Sequence, residues 1–279
     1  MGRRGLSANA ARPPIDRRAT RSGYVLPRVS TGLSRLLAYA IFLLGWQALS
    51  TFVFPPFILP SPVLVAQEMV SIVESGQFLT HFLATIGRLF VGFAIAFVLG
   101  AAIGIAMGRS AYWREFFSDY IMLTLTTPGL VFALICAMFF GLSPLGPVVA
   151  IILTAMPHVT INVYEGVRAI PRDLLDMAHV YEVSRPARVR NVLVPAIAPY
   201  LFTAARYGFA IAWKITALTE LFGSASGVGF QIRTEFLLFS MRGVLAWALF
   251  LVIFAIVMER FVLMRMERRF FRWRRQAFA

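Results

Sequence analysis

The sequence predicts an all-α membrane protein of six transmembrane helices, and three observations carry that prediction. Of its 279 residues, 59% are hydrophobic and only 14% are charged, whereas a soluble domain is nearer a quarter charged. Six apolar stretches approach the roughly 20 residues that a helix needs to cross hydrocarbon. Basic residues gather at the edges of those stretches, on alternate sides. Backbone amides in lipid have no water to bond, so each stretch must be helical.

Residues 1–30 are rich in Arg, Pro, Ser and Gly and hold no apolar run, which reads as a disordered basic tail. Arg3-Arg4 and Arg17-Arg18 look like twin-arginine export signals, but no short apolar core and cleavage site follow closely. A solvated tail near acidic lipid fits better. The spans fall near 33–54, 80–107, 120–141, 147–165, 199–222 and 243–264. Segments 1–35, 109–118, 166–190 and 260–279 hold 22 of the 27 basic residues. That asymmetry places them, and both termini, in the cytoplasm. The domain prediction is a tail over 1–30, a transmembrane domain over 31–270 with a cytoplasmic loop at 166–199, and a basic tail over 271–279.

Between the first two spans, Leu59-Pro60-Ser61-Pro62 signals a helix start, with Ser61 as N-cap and Pro62 at the first helical position. The helix runs to about Glu74 and is amphipathic, which suits the outer membrane surface. The second span carries small residues at four-residue spacing: Gly92, Ala96, Gly100, Gly104 and Gly108. Such a stripe lets another helix approach closely. A surface for sliding is the sharper reading, and plain packing the simpler one.

The net charge of +14 does not point to nucleic acid, because the arginines edge apolar runs instead of covering one polar face. Cys136 is the single cysteine and lies in an apolar span, so it forms no internal disulfide and reads as a packing residue. The sole lysine, Lys214, follows Trp213, so no Gly-x-x-x-x-Gly-Lys-Ser/Thr phosphate loop is present. His81, His158 and His179 are scattered and form no metal-binding pair. No Ser/His/Asp arrangement is recognisable. The chain is not expected to be an enzyme, to bind a metal or to hold a cofactor.

Polar groups within spans are costly and mark candidate paths. Arg206, Ala210, Lys214, Ala217 and Glu220 share about a third of the fifth helix's circumference. Thr154, His158, Asn162 and Glu165 share a narrower face of the fourth, beside a kink expected at Pro157. One reading makes these faces line a passage, with Arg88, His158, Asn162, Arg206, Lys214 and Glu220 as candidates and Lys214 favouring an anion. The other makes Lys214 and the acids buried structural pairs, with Arg206 and Glu165 reaching the inner membrane edge.

The charged segment 176–199 stands between apolar spans. Pro171 opens a short helix, and Asp173 in its first turn suits the helix dipole. Leu174, Met177, Ala178 and Tyr181 fall on one face. Asp176, His179 and Glu182 fall on the other, yet Val180 and Val183 lie there too. A helix apolar on two sides outside the membrane exposes hydrophobic surface unless a second protein covers it. Ser184 then caps a second helix, with Pro186 early in it and Arg185, Arg188 and Arg190 at the membrane edge. The plain alternative is a solvated linker without a partner.

The run Asp176-Met177-Ala178, Glu182 six residues after Asp176, Ser184-Arg185, then Val192-Leu193-Val194-Pro195 and Pro199 resembles the Glu-Ala-Ala loop of bacterial ABC importer permeases. Leu59-Pro60-Ser61-Pro62, Arg88, Glu220-Leu221-Phe222-Gly223 and Ser226-Gly227-Val228-Gly229 follow in the order of nitrate/sulfonate/taurine-type permeases. The likeness covers about 59–275. It implies a type I (MetI-like) importer permease fold in a bacterial inner membrane. It also implies that Asp173, Leu174, Asp176, Met177, Ala178, Val180, Tyr181, Glu182, Val183 and Ser184 form a coupling helix against an ATP-binding subunit. The implied partners are two such subunits, which bind ATP and Mg, a second permease copy, and an extracytoplasmic solute-binding protein. The implied solute is a small anion such as a sulfonate, taurine or nitrate. A pyrimidine vitamin precursor or an aromatic acid is the alternative, and a secondary transporter without an ATPase is a different class. The chain departs from the pattern at Asp176 (usually Glu), Met177 (usually Ala) and Glu182 (usually Gly). A Gly there serves a turn of positive φ, so the turn is expected to be reshaped at Glu182.

Overall fold

The computed structural model describes residues 31–263 and Arg265. The predicted tails at 1–30 and 271–279 lie outside the described residues. The chain divides into two units, 1–45 and 46–279. The described part of the first is the start of one apolar helix, α1 (Thr31–Phe52). Everything that follows concerns the second.

All regular elements among the described residues are helical. Ser61 caps α2 (Pro62–Glu74) by accepting from Leu64 N at 3.4 Å, with Pro62 at its first turn, as expected. The loop before it is tied to α1, because Trp46 Nε1 donates to Pro60 O at 3.1 Å and Ser50 Oγ to Leu59 O at 2.8 Å. Next come α3 (Gln77–Arg109), α4 (Ala111–Thr126), α5 (Gly129–Phe140) and α6 (Leu145–Arg168). They are followed by α7 (Arg172–Val180), α8 (Arg185–Arg188), α9 (Val194–Gly223), α10 (Val228–Leu237) and α11 (Met241–Val257).

Four helices among the described residues are long and apolar enough to cross a bilayer: Gln77–Arg109, Leu145–Arg168, Arg185–Gly223 and Met241–Phe261. The predicted third span is not one straight helix. Ala111–Thr126 and Gly129–Phe140 meet at 94°, and count as a fifth span only if taken together. The break falls where Thr127 precedes Pro128: a residue before proline is pushed out of the α region, and Thr127 is extended at φ −75, ψ 125. The fifth predicted span also begins earlier than expected. α8 runs through a π-helical turn, Val189–Leu193, straight into α9, making one rod of 39 residues. Such wide turns absorb irregularity near Pro195 and Pro199, whose missing N–H groups leave carbonyls unpaired.

α6 is the central helix, packed between α3 and α9, with α5 against both α6 and α9. The small-residue stripe of α3 is why α6 fits so closely. A Cβ added at Gly100 or Gly104 would stand 2.7 Å from Met156 O or 2.6 Å from Thr160 O, so only glycine lets these two backbones touch. The stripe is therefore a close-packing face. Leu89, Ala96, Ile151, Ala155, Phe209 and Ala212 fill the core between these helices. A second core joins α2, α10 and α11 around the fully buried Trp247, with Val65, Ile72, Val228 and Leu251.

Candidate functional site: a coupling element and a polar clamp

The loop after α6 forms as α7, whose first turn carries Asp173. Its termination is the informative detail. Val183 N donates to Ala178 O at 3.1 Å and Glu182 N to His179 O at 3.0 Å, the paired bonds of a Schellman motif. That motif needs a left-handed residue just past the helix, and Glu182 supplies it with φ 49. The turn is not reshaped; Glu182 adopts the conformation that glycine would take freely, at a cost of about 1 kcal/mol.

The faces of α7 are unequal. Ala178 is 1% exposed, while Val180 and Tyr181 are 78% and 76% exposed. Met177 and Leu174 are exposed as well. Ala178 was expected on the contact face, and this is corrected: it turns inward and has no surface left for a partner. Its carbonyl also accepts from Arg188 Nη2 at 3.3 Å. Arg188 was read only as a membrane-edge charge. It instead braces the end of α7 from α8, where a cation suits the negative end of the helix dipole. Its Nε is buried without an acceptor among the described residues. Asp173, Asp176, Glu182 and Ser184 are exposed, and Val183 is half-buried.

The roots of this element are anchored at one place. A Cβ at Gly166, two residues before the end of α6, would meet Tyr200 Cβ of α9 at 2.5 Å, and one at Gly108 of α3 would meet Val167 Cβ at 2.6 Å. The last turns of α3 and α6 and an early turn of α9 are thus in backbone-close contact beside the loop.

At the other end of the bundle stands a charged group that the sequence reading placed on a path. Arg88 Nη1 donates to Glu220 Oε1 at 2.7 Å, with the Glu220 side chain fully buried. Glu220 Oε2 accepts from Thr85 Oγ1 at 2.8 Å and from Gly229 N at 3.1 Å. Arg88 also reaches Ser226 O at 2.7 Å and Ser226 Oγ at 2.6 Å. Thr85 Oγ1 accepts from Val228 N at 2.8 Å, and His81 Nδ1 from Gly227 N at 3.1 Å. His81, Thr85 and Arg88 lie on one face of α3, and together they fix the segment between α9 and α10. Gly227 is required here: its φ is +115, and a Cβ would strike the Glu220 carboxylate. Arg88 and Glu220 are therefore corrected as path candidates, because they satisfy each other and the backbone. The helical angle explains it, since six residues put Glu220 about 120° from Lys214.

The remaining candidates separate. His158 Nδ1 is 2.9 Å from Thr154 O and Asn162 Nδ2 donates to His158 O at 2.8 Å, so both bond their own helix. Arg206 pairs with Glu259. Lys214 is exposed and has no acidic partner among the described residues. It borders a groove between α9 and α11 that neither His158 nor Asn162 touches. In the single chain, the two polar faces do not meet. An unpaired lysine in the body of a span, where the insertion penalty is about 2.5–3.5 kcal/mol, must face water, protein or an anion.

With this geometry in view, the comparisons decide the family. The family model described as the inner membrane component of binding-protein-dependent transport systems matches residues 96–271. The chain belongs to that family. It is a multi-pass inner-membrane permease of the ABC importer class, and such subunits are not themselves catalysts and carry no cofactor of their own. Among its relatives is the putative aliphatic sulfonates transport permease SsuC of Bacillus subtilis, 28% identical over 240 residues, covering 86% of this chain and 87% of SsuC. The nitrate import permease NrtB of Synechococcus elongatus is 28% identical over 232 residues, covering 79% and 82%. The formylaminopyrimidine transport permease ThiX of Halalkalibacterium halodurans is 24% identical over 225 residues, covering 79% and 88%. A chain of the MetNI methionine ABC transporter in an inward-facing form superposes with TM-score 0.62 at 18% identity, covering 71% of this permease and 97% of that chain. The likeness gives the fold, that of a type I importer permease.

Proposed function

We propose that this permease carries a small organic or inorganic anion, of the sulfonate, taurine or nitrate kind, across the inner membrane. ATP binding and hydrolysis take place on two copies of a separate subunit, and the solute arrives from an extracytoplasmic binding protein. Two permease copies form the pathway. Six spans put both termini in the cytoplasm, in line with the distribution of arginines.

The observation that carries the reading is α7. Leu174, Met177, Val180 and Tyr181 present apolar surface outside the spans, with Asp173 and Asp176 beside them. Such a surface is stable in water only when covered, and the ATP-binding subunit is its cover. Closure of two such subunits moves α7, and the close contacts at Gly108, Gly166 and Tyr200 pass that motion to α3, α6 and α9 together. Differential contact with α7 in the two nucleotide states is what biases the switch. The solute class is supported by the SsuC and NrtB relatives and by Lys214. ThiX supports a pyrimidine precursor as the second reading.

The test is uptake into proteoliposomes holding the permease, its ATP-binding subunit and its binding protein. ATP-dependent accumulation of a sulfonate or nitrate that stops when the ATP-binding subunit is omitted is expected. Accumulation that persists without that subunit would make the protein a secondary transporter.

A further inference from the structure

The groove between α9 and α11 is open to the surface and has a volume of about 320 Å³. Phe209, Trp213 and Ile256 form an apolar wall, and Lys214, Glu259 and Arg260 supply its charges. Glu259 is already paired with Arg206, so among the described residues Lys214 and Arg260 leave the groove with uncompensated positive charge. Lys214 lies nine residues before the end of α9 at Gly223, about 14 Å along the helix at 1.5 Å per residue.

From this combination we propose that the groove is a binding site for an amphiphilic organic anion, an alkyl sulfonate in chemical class. Lys214 holds the anionic head, and Phe209, Trp213 and Ile256 cover the tail. The inference rests on the anion-importer reading and narrows it. A compact inorganic anion gains nothing from an aromatic wall and gives up its hydration to enter. A neutral heterocycle fits the wall but leaves Lys214 uncompensated. A phospholipid phosphate at the membrane edge would reach Arg260 before Lys214, which stands inside the span, so the head held at Lys214 is assigned to the solute.

Hexanesulfonate uptake into proteoliposomes containing the full transporter tests this, with wild type compared with Lys214→Gln, Lys214→Arg and Ile256→Trp. Losing one charge-assisted contact predicts that Lys214→Gln lowers uptake by about tenfold or more while Lys214→Arg keeps most of it. Ile256→Trp fills the groove and should slow hexanesulfonate more than methanesulfonate. Wild-type uptake rates in Lys214→Gln would overturn the proposal. So would a defect seen only in vesicles containing phosphatidylglycerol and absent in pure phosphatidylcholine, since that outcome assigns the groove to lipid. A wild-type complex that moved a pyrimidine but no anion would overturn the importer reading itself, whatever the variants did.

Discussion

The two ends of the bundle are built on opposite principles. The clamp at Arg88 and Glu220 is finished within the chain: the acid receives three donors, and the guanidinium bonds both that acid and the loop at Ser226. The α7 element is unfinished. It exposes Val180 and Tyr181, leaves Arg188 Nε without an acceptor among the described residues, and holds Glu182 at positive φ. A region that satisfies every polar group by itself resists deformation. A region that leaves apolar surface uncovered is complete only with a partner. The difference teaches where this permease is its own scaffold and where, in the function proposed, it is half of a joint.

Substitutions should separate the two regions by their effect on stability. The largest loss is expected at the clamp. Arg88→Ala strands the Glu220 carboxylate in the core and should cost about 3–5 kcal/mol, read as a large fall in the unfolding temperature of the purified permease. Replacing both members with methionine should recover much of that loss, because no buried charge is then left alone. Gly104→Ala should follow, at about 1–3 kcal/mol, by pushing α3 off the α6 backbone at Thr160. At α7 the sign should reverse. Glu182→Gly relieves the left-handed strain and should raise stability by about 0.5–1 kcal/mol in the same assay. Smallest of all is Val180→Asp, expected within about 0.5 kcal/mol of wild type because the side chain meets only solvent in the free chain. That variant should nevertheless fail to retain the ATP-binding subunit on copurification. A Val180→Asp protein that unfolded readily, or an Arg88→Ala protein that did not, would erase the contrast.

Much of this was legible in the sequence, and the misses have physical causes. Ser61 and Pro62 announced α2, and the four-residue spacing from Gly92 to Gly108 announced the α3 packing face, because caps and periodicity are local signals. Thr127-Pro128 was equally local, yet a long apolar run masked its break. The pairing of Arg88 with Glu220 joins residues 132 apart, which no periodicity reveals. One lone acid and one lone base in different spans were the available hint. Asp176 and Met177 were placed on a helix from spacing and fall in α7, which ends at Val180, just before Tyr181 and Glu182. Ala178 was misplaced because a nine-residue helix presents two apolar sides, and only its seating against Arg188 decides which side turns in.

The most direct test of the coupling claim uses one engineered thiol, Val180→Cys, in a Cys136→Ala background, probed with a membrane-impermeant maleimide. The account predicts labelling in inside-out vesicles, none in right-side-out vesicles, and protection once the ATP-binding subunit is bound. Labelling from the outer face, or labelling undiminished by that subunit, would contradict it.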